Sequence, residues 1–437
     1  MEPSKKLLGS VTIIPEIVAD IKKNVQNIAD FTKEIQEHIK QNTTNLLDVI
    51  LCAAIQLTAS DIHLEPEEEK IRLRIRIDGV LQDVAFFEQP VYHHLLSRLK
   101  LESKIKLNIT DKPQDGRFTI NIDDMLVEVR TSSLPAEYGE SIVMRILNPR
   151  DLKNLDDLGL RDDLYQIFLK EIQKPNGMII ITGPTGAGKT TTLYAFLMKI
   201  QNPQIKIITI EDPIEYHLKG ISQTQVAPEK GYDFSDGLRS IVRQDPDVIL
   251  VGEIRDLETA KISLQAALTG HLVLSTIHTN DAAGTIPRLV DLGIDTASIA
   301  PAIKMAVGQR LIRKVCKECS VMASPSAEQL EELKKGLHGV PKEIINLNVE
   351  AVKIAAVAEK GCKACNFSGY KGRKGLYEVF LVDSDMERFI LTNPPVSAIK
   401  ELSIKKGMIT IYQSGLIEVA LGNATFEEVK RVVEADE

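Results

Sequence analysis

Gly183-Pro184-Thr185-Gly186-Ala187-Gly188-Lys189-Thr190 follows the apolar run Met178 to Ile181 and leads into a helix-forming stretch, Thr191 to Ile200. Strand, glycine loop and helix in this order build a phosphate cradle: the glycines turn successive backbone N–H groups inward, and the helix N-terminus adds partial positive charge. Gly183, Pro184, Thr185, Gly186, Ala187, Gly188, Lys189, Thr190 and Thr191 are the expected nucleotide-binding residues. Lys189 reaches the β/γ-phosphates, and the Thr190 hydroxyl takes a place on Mg2+. A merely flexible turn would not need the flanking strand and helix.

Three more apolar runs end in polar clusters. Ile205 to Ile210 leads into Glu211-Asp212-Pro213-Ile214-Glu215, Val248 to Val251 into Gly252-Glu253-Ile254-Arg255, and Leu272 to Thr276 into His278-Thr279-Asn280-Asp281. Continuous apolar runs separated by helical segments predict parallel strands covered on both faces, with a ligand at their carboxyl ends. Glu253 is the expected magnesium-holding acid and Glu211 the group that polarises an attacking water, though the two roles could be exchanged. Either acid could instead cap the following helix. His278 is a candidate γ-phosphate sensor, and His271 either a second one or a loop brace.

The chain has 437 residues, 43% of them apolar and 26% charged, enough for two or three domains with their own cores. No apolar stretch approaches the roughly 20 residues of a membrane span, so any membrane association is expected to be peripheral. Acids and prolines interrupt the first twenty residues, MEPSKKLLGSVTIIPEIVAD, which argues against an export signal. A net charge of −8 argues against broad attraction to nucleic acid.

Before the phosphate loop, Ile14, Val18, Ile21, Val25, Ile28, Phe31, Ile35 and Ile39 repeat at three- and four-residue steps, one stripe of an amphipathic helix. Asn45 to Thr58 reads as a second helix. The alternating strand Ile71 to Ile77, a helix from about Val91 to Leu107, and strands at Arg117 to Ile122, Met125 to Thr131 and Ser141 to Leu147 make a small α+β domain. Arg117, Arg130 and Arg145 lie in its strand region, and phosphoryl transfer depends on positioned cations. Arg239, Arg243 and Arg255 are further candidates near the strand-end acids.

Cys316, Cys319, Cys362 and Cys365 form two CxxC pairs, the spacing of a closed tetrahedral zinc site; an iron–sulfur cluster or a redox dithiol is the alternative. Four thiolates leave no open position, so the role is structural. Ala327 to Lys360, between the pairs, reads as helices broken at Gly339 and Pro341. The expected organisation is an N-terminal amphipathic helix (1–42), the α+β domain (43–150), an ATPase domain (151–312), a zinc lobe (313–380) and a helical C-terminal subdomain (381–437).

With GPTGAGKT, the segments ITIEDPIEY (Ile208 to Tyr216), LRSIVRQDPDVILVGEIRD (Leu238 to Asp256) and GHLVLSTIHTNDA (Gly270 to Ala282) resemble the traffic ATPases of type II secretion and type IV pilus assembly. SDIHLEP (Ser60 to Pro66), QDGRF (Gln114 to Phe118) and GYKGRKGLYE (Gly369 to Glu378) extend the resemblance from about residue 43 almost to the C-terminus. It implies an α/β fold: a RecA-like P-loop NTPase core with a smaller N-terminal α+β domain and a four-cysteine zinc lobe. It implies ATP, Mg2+ and Zn2+, and a homo-hexamer, cytoplasmic and peripheral at the inner face of the membrane, driving filament assembly through an inner-membrane platform protein. It supports Arg117, Arg130 and Arg145 as phosphate-contacting arginines and brings Arg239, Arg243, Arg255 and Arg373 into the interface network. Family members that assemble filaments often carry a longer N-terminal region than the helix here, and retraction motors generally lack the cysteine lobe. A retraction motor, a DNA-uptake or nucleic-acid translocase, and a nucleotide-gated scaffold are the competing readings.

Overall fold

Each apolar run that precedes a polar cluster is a strand of one sheet. The structure, a computed structural model, describes residues 10–41, 45–345, 348, 351–358 and 360–433, so the boundary expected at 42/43 lies outside the described residues. The chain forms two compact units. One is built from the chain up to Asp151 together with Cys316–Cys319 and Ala358–Lys371, the other from Leu152–Val315, Ser320–Val357 and the chain from Gly372 onward.

In the first unit the strands are β1 (Ser10–Thr12), β2 (Asp61–Pro66), β3 (Ile71–Ile77), β4 (Val80–Phe87), β5 (Gln114–Ile122), β6 (Met125–Ala136) and β7 (Gly139–Leu147), and the helices α1 (Pro15–Asn24), α2 (Ile28–Gln41), α3 (Leu46–Gln56) and α4 (Gln89–Glu102). The seven strands run in the order β1-β5-β6-β7-β2-β3-β4. Period-two alternation sorts the faces: Ile71, Leu73, Ile75 and Ile77 are buried, whereas the arginines between them are half-buried on the charged face. The N-terminal apolar stripe is two helices rather than one. Asn27 caps the second, its side chain accepting the Asp30 N–H at 3.0 Å and donating to the Asp30 carboxylate at 2.8 Å, and this local bonding competes with continued helix. Val18, Ile21, Val25, Phe31 and Ile35 are all buried in this unit's core.

The second unit contains β8 (Gly177–Thr182), β9 (Ile207–Glu211), β10 (Ser222–Gln225), β11 (Val248–Val251), β12 (Leu272–Ile277) and β13 (Ile303–Val315). Its remaining strands are the short pair β14 (Val321–Ala323) and β15 (Ile354–Ala356), and β16 (Tyr370–Leu381), which begins at the end of the first unit's last segment. The main sheet has the order β10-β9-β11-β12-β8-β13-β16. The pairs β10–β9, β9–β11, β11–β12, β12–β8 and β8–β13 are parallel, so β8, β9, β11 and β12 deliver their last residues to one edge.

Both faces of this sheet are covered. Met178 and Ile180 pack with helices α7 (Phe234–Val242), α8 (Leu257–Leu268), α9 (Thr285–Asp291) and α10 (Thr296–Ala302) on one side, and Ile179 and Ile181 with α5 (Asp162–Ile172) and α6 (Lys189–Ile200) on the other. Strands buried on both sides must be apolar throughout, which is why these runs do not alternate. Between the cysteine pairs the structure has one helix, α11 (Ala327–Gly336), then turns and β15, where successive helices were expected; residues 346, 347, 349, 350 and 359 of that stretch lie outside the described residues. Helices α12 (Ser384–Ile390), α13 (Val396–Lys405), α14 (Ile411–Ala420) and α15 (Phe426–Val432) complete the unit.

Candidate active site

The phosphate loop spans the gap between the end of β8 and the first turn of α6. Gly183 has φ 146°, and a Cβ there would come within 2.4 Å of the Gln309 carbonyl oxygen; Gly188, at φ 88°, starts the helix from the left-handed region. Only glycine serves at both positions. Lys189 folds back over the loop, its Nζ donating to the Gly183 carbonyl at 2.7 Å and the Pro184 carbonyl at 3.1 Å. Burial pulls its pKa below the ordinary lysine value, Glu253 acting in the opposite direction. The Thr190 side chain is exposed and Thr191 half-buried beside it.

Glu253 stands two residues past β11 and pairs with Arg255 and with His278, whose Nε2 lies 3.3 Å from its Oε2. The capping role that competes for strand-end acids falls to Asp256: its carboxylate accepts the Thr259 N–H at 2.8 Å and starts α8. Asp233 caps α7 in the same way. Glu253 caps neither helix. Glu211 ends β9 and is 3% exposed, its carboxylate accepting from the Tyr194 hydroxyl, the Thr209 hydroxyl and Gln223 Nε2. Burial raises its pKa against the pull of these three donors.

The loop after β12 is tied to the phosphate strand. Thr279 N–H donates to Thr182 Oγ1 at 2.8 Å, and the Thr182 hydroxyl lies 3.0 Å from the Thr279 carbonyl. His271 sits at the other end of β12, about 20 Å of strand away, with its Nδ1 donating to the Ala266 carbonyl at 3.0 Å; it braces the end of α8 and is no phosphate sensor. Arg239 pairs with Asp236 and Glu258, Arg243 bonds Ser240 Oγ at 3.3 Å, and Arg373 is exposed on β16.

Sequence reasoning passed over Arg310, on β13 beside the loop. Its Nη2 donates to the Asn280 carbonyl at 2.6 Å, its Nη1 lies 3.2 Å from where a Cβ on Gly183 would stand, and burial lowers its pKa. The neighbouring Gln309 accepts from the Thr192 hydroxyl on α6 at 3.0 Å. Tyr194, the donor to Glu211, was missed as well; its place one turn into the helix after the loop was the available signal.

Arg117, Arg130 and Arg145 belong to the first unit and form a row. Arg117 pairs in register with Arg130 across β5 and β6, and Arg130 with Arg145 across β6 and β7. Asp61, next in the row on β2, accepts from Arg145 Nε at 3.1 Å and Arg76 Nε at 3.2 Å. Like charges opposite one another destabilise a sheet, and acids offset this row: Arg130 Nε lies 3.5 Å from Glu128 Oε1, and Arg145 pairs with Asp61. Gly116, the β5 residue before Arg117 where a turn was expected, pairs with Thr131 and has no room for a side chain: a Cβ would meet the Ser103 carbonyl oxygen at 2.2 Å.

The four cysteines come together, their sulfurs all within 4.8 Å of one another. Cys316–Cys362, Cys319–Cys365 and Cys362–Cys365 are each separated by 3.8 Å. Thiolates around a tetrahedral zinc at about 2.3 Å stand about 3.8 Å apart, so the set fits that metal. Burial pushes the Cys365 thiol up, but N–H donors from Cys362 and Gly369 bring it down to about 7. Next to this cluster, Asn366 Oδ1 accepts the Ile28 N–H at 2.8 Å and so caps the start of α2.

The family model for type II/IV secretion system proteins matches residues 36–431. A type II secretion system protein E of Xanthomonas campestris pv. campestris is 39% identical over 391 residues, 89% of this chain and 67% of that protein. The type IV pilus assembly ATPase PilB of Thermus thermophilus is 39% identical over 412 residues, 93% of this chain but 44% of its own length. Among solved structures, the pilus retraction motor PilT with bound ADP aligns at a TM-score of 0.59 and 27% identity, covering 89% of this chain and 96% of that one. The ATPase DotB of Legionella pneumophila, at a TM-score of 0.63 and 20% identity over 88% of this chain and 94% of its own, shares the fold. Among the described residues no helix is long and apolar enough to cross a membrane.

Proposed function

The chain belongs to the type II/IV secretion system protein family, and from that premise we propose that it is a Mg2+-dependent ATPase that assembles as a hexamer and drives a type IV pilus or type II secretion pseudopilus through an inner-membrane platform protein. The observation that carries the enzymatic part is the convergence of Lys189, Glu253 and His278 at one sheet edge. Lys189 exchanges two backbone carbonyls for the β/γ-phosphates. Thr190 and Glu253 hold the Mg2+, which neutralises phosphate charge when bound.

Glu211 orients and deprotonates the attacking water in this proposal. A carboxylate offers about four acceptor positions, and three are taken by Tyr194, Thr209 and Gln223, which leaves one for water. His278 senses the γ-phosphate through its bond to Glu253. The row Arg117, Arg130 and Arg145 supplies cations to a phosphate site shared between subunits, with Arg239, Arg243, Arg255 and Arg373 in the contact network. Cys316, Cys319, Cys362 and Cys365 hold Zn2+ in a structural role. The protein works in the cytoplasm, peripheral to the inner membrane.

Phosphate release by the purified full chain tests the enzymatic core. Lys189→Ala abolishes turnover in this scheme; normal hydrolysis by that variant overturns the site. Arg145→Ala mixed with Glu253→Gln chains tests sharing between subunits: activity recovered only in the mixture supports it, and none recovered argues against it.

A further inference from the structure

Glu378 is a carboxylate buried to 3% exposure on β16, and nothing in the proposed hydrolytic scheme uses it. Lys400 and Arg310 act on it through space, and each of its carboxylate oxygens accepts from the backbone. Its Oε1 accepts the N–H of Ala282 at 2.7 Å, and its Oε2 the N–H of Ile411 at 3.2 Å. Burial pushes its carboxyl above the ordinary range, and the two N–H donors act against that. A buried carboxylate is costly, and a glutamine of the same shape would offer one acceptor where this geometry asks for two.

The two donors come from different places. Ala282 ends the segment that begins at His278, and Ile411 is the first residue of α14. Between His278 and Ala282 the segment is held at two more points, Thr279 by Thr182 and Asn280 by Arg310. Glu378 is the third point, and it joins the segment to a helix of the C-terminal subdomain. Gly308 stands beside it on β13, where a Cβ would come within 3.2 Å of Glu378 Oε1 and 3.1 Å of the Ala282 N, so a side chain there would crowd the bond between them.

We infer that Glu378 is a positioning residue for ATP hydrolysis: it fixes the segment carrying His278 against the first turn of α14 and so makes the C-terminal helices part of the apparatus that sets His278 on Glu253. The inference rests on the site proposed above. It assigns Glu378 no contact with nucleotide; it acts through His278.

The test is a double-mutant cycle on the full chain with Glu378→Gln, His278→Ala and the pair, read as kcat and KM for ATP. Glu378→Gln is expected to lower kcat about 10- to 100-fold, the size of a misplacement effect, with KM held within about twofold because ground-state binding is untouched. The pair is expected to be no slower than His278→Ala alone, as for residues acting as one unit. Losses that multiply in the pair, or an unchanged kcat in folded Glu378→Gln, overturn the inference. Should Glu378→Gln fail to fold, Ile411→Pro carries the test: it removes the second N–H at a helix position that tolerates proline, after a Thr410 already at φ −68° and ψ 161°. A lowered kcat with KM held supports the inference there, and an unchanged kcat overturns it. If His278→Ala itself leaves kcat unchanged, the proposed site fails and the inference falls with it, a result distinct from additivity.

Discussion

His278 Nε2 lies 3.3 Å from Glu253 Oε2, where the adjacent parallel strands β12 and β11 bring their chains to the same edge of the sheet. Arg255 takes the other oxygen of the same carboxylate, and the charge on Glu253 acts against the burial that lowers the Lys189 pKa. One acid thus faces three cationic or ionisable groups, a balance that an incoming metal and triphosphate would redistribute.

Glu253→Gln keeps the shape of that centre and removes its charge. Hydrolysis is expected to fall by about 10²- to 10⁴-fold, as for loss of a positioned acid–base or metal-holding group, while a fluorescent nucleotide analogue still binds. Phosphate release and equilibrium binding measured on the same preparation check this. Near-normal turnover in the variant would remove Glu253 from the chemistry.

Glu211 predicts a pH dependence. Burial raises its carboxyl pKa, so its neutral form persists to higher pH than in an exposed glutamate at about 4.3. Activity that needs the ionised form therefore rises with pH along a limb displaced above the ordinary carboxylate range. Tyr194→Phe removes a donor that stabilises the anion and is expected to move the limb further up; Glu211→Gln abolishes activity along it. A kcat/KM profile for the three proteins settles the point, and an unmoved limb in Tyr194→Phe would separate Glu211 from water activation.

The cysteine cluster predicts one bound zinc per chain by elemental analysis, lost in Cys365→Ser. Because Asn366 follows Cys365 and caps α2 through the Ile28 N–H, loss of the metal is expected to reach that helix. A capping bond is worth about 1 kcal/mol, so amide exchange at Ile28 should quicken about fivefold. Zinc lost without any change at Ile28 would confine the cluster's effect to its own segment.

The strands around the phosphate loop were legible because burial on both faces demands continuous apolar runs, and Met178 to Ile181 is such a run. Strand β13 was not. Its first half, Ile303 to Gly308, pairs with β8 and is mostly buried, whereas Gln309 to Val315 carries Arg310 and Arg313 on a partly exposed face. The period changes within one strand, and no single pattern covers it. Arg310 was hidden for the same reason. The break in the N-terminal helix did have a local sign, Asn27 followed three residues later by Asp30, but the apolar stripe runs across it without interruption. Glu378 had none: its partners Ala282 and Ile411 are 96 and 33 residues away, and a backbone N–H leaves no mark on the sequence.

Glu428, on α15, is 1% exposed and joins the last helix to β13. Its carboxylate accepts the Arg313 backbone N–H at 2.8 Å, Arg313 Nη2 at 2.6 Å and Arg431 Nη2 at 2.7 Å. Burial alone would push its pKa up; the Arg431 and Arg313 bonds outweigh that and leave it below the ordinary glutamate value. A depressed carboxylate stabilises the fold fully above its unfolded pKa, about 4.3, and loses that contribution as pH falls through the lower folded value. Glu428→Gln breaks the pairs while leaving two guanidinium groups in place, and is expected to cost about 3 kcal/mol near neutral pH. Urea unfolding of wild type and variant over a pH series should show a constant gap from about pH 6 to 8 that narrows below about pH 4. A gap that stays constant into acid would assign the effect to packing and hydrogen-bond shape, with the charge contributing nothing.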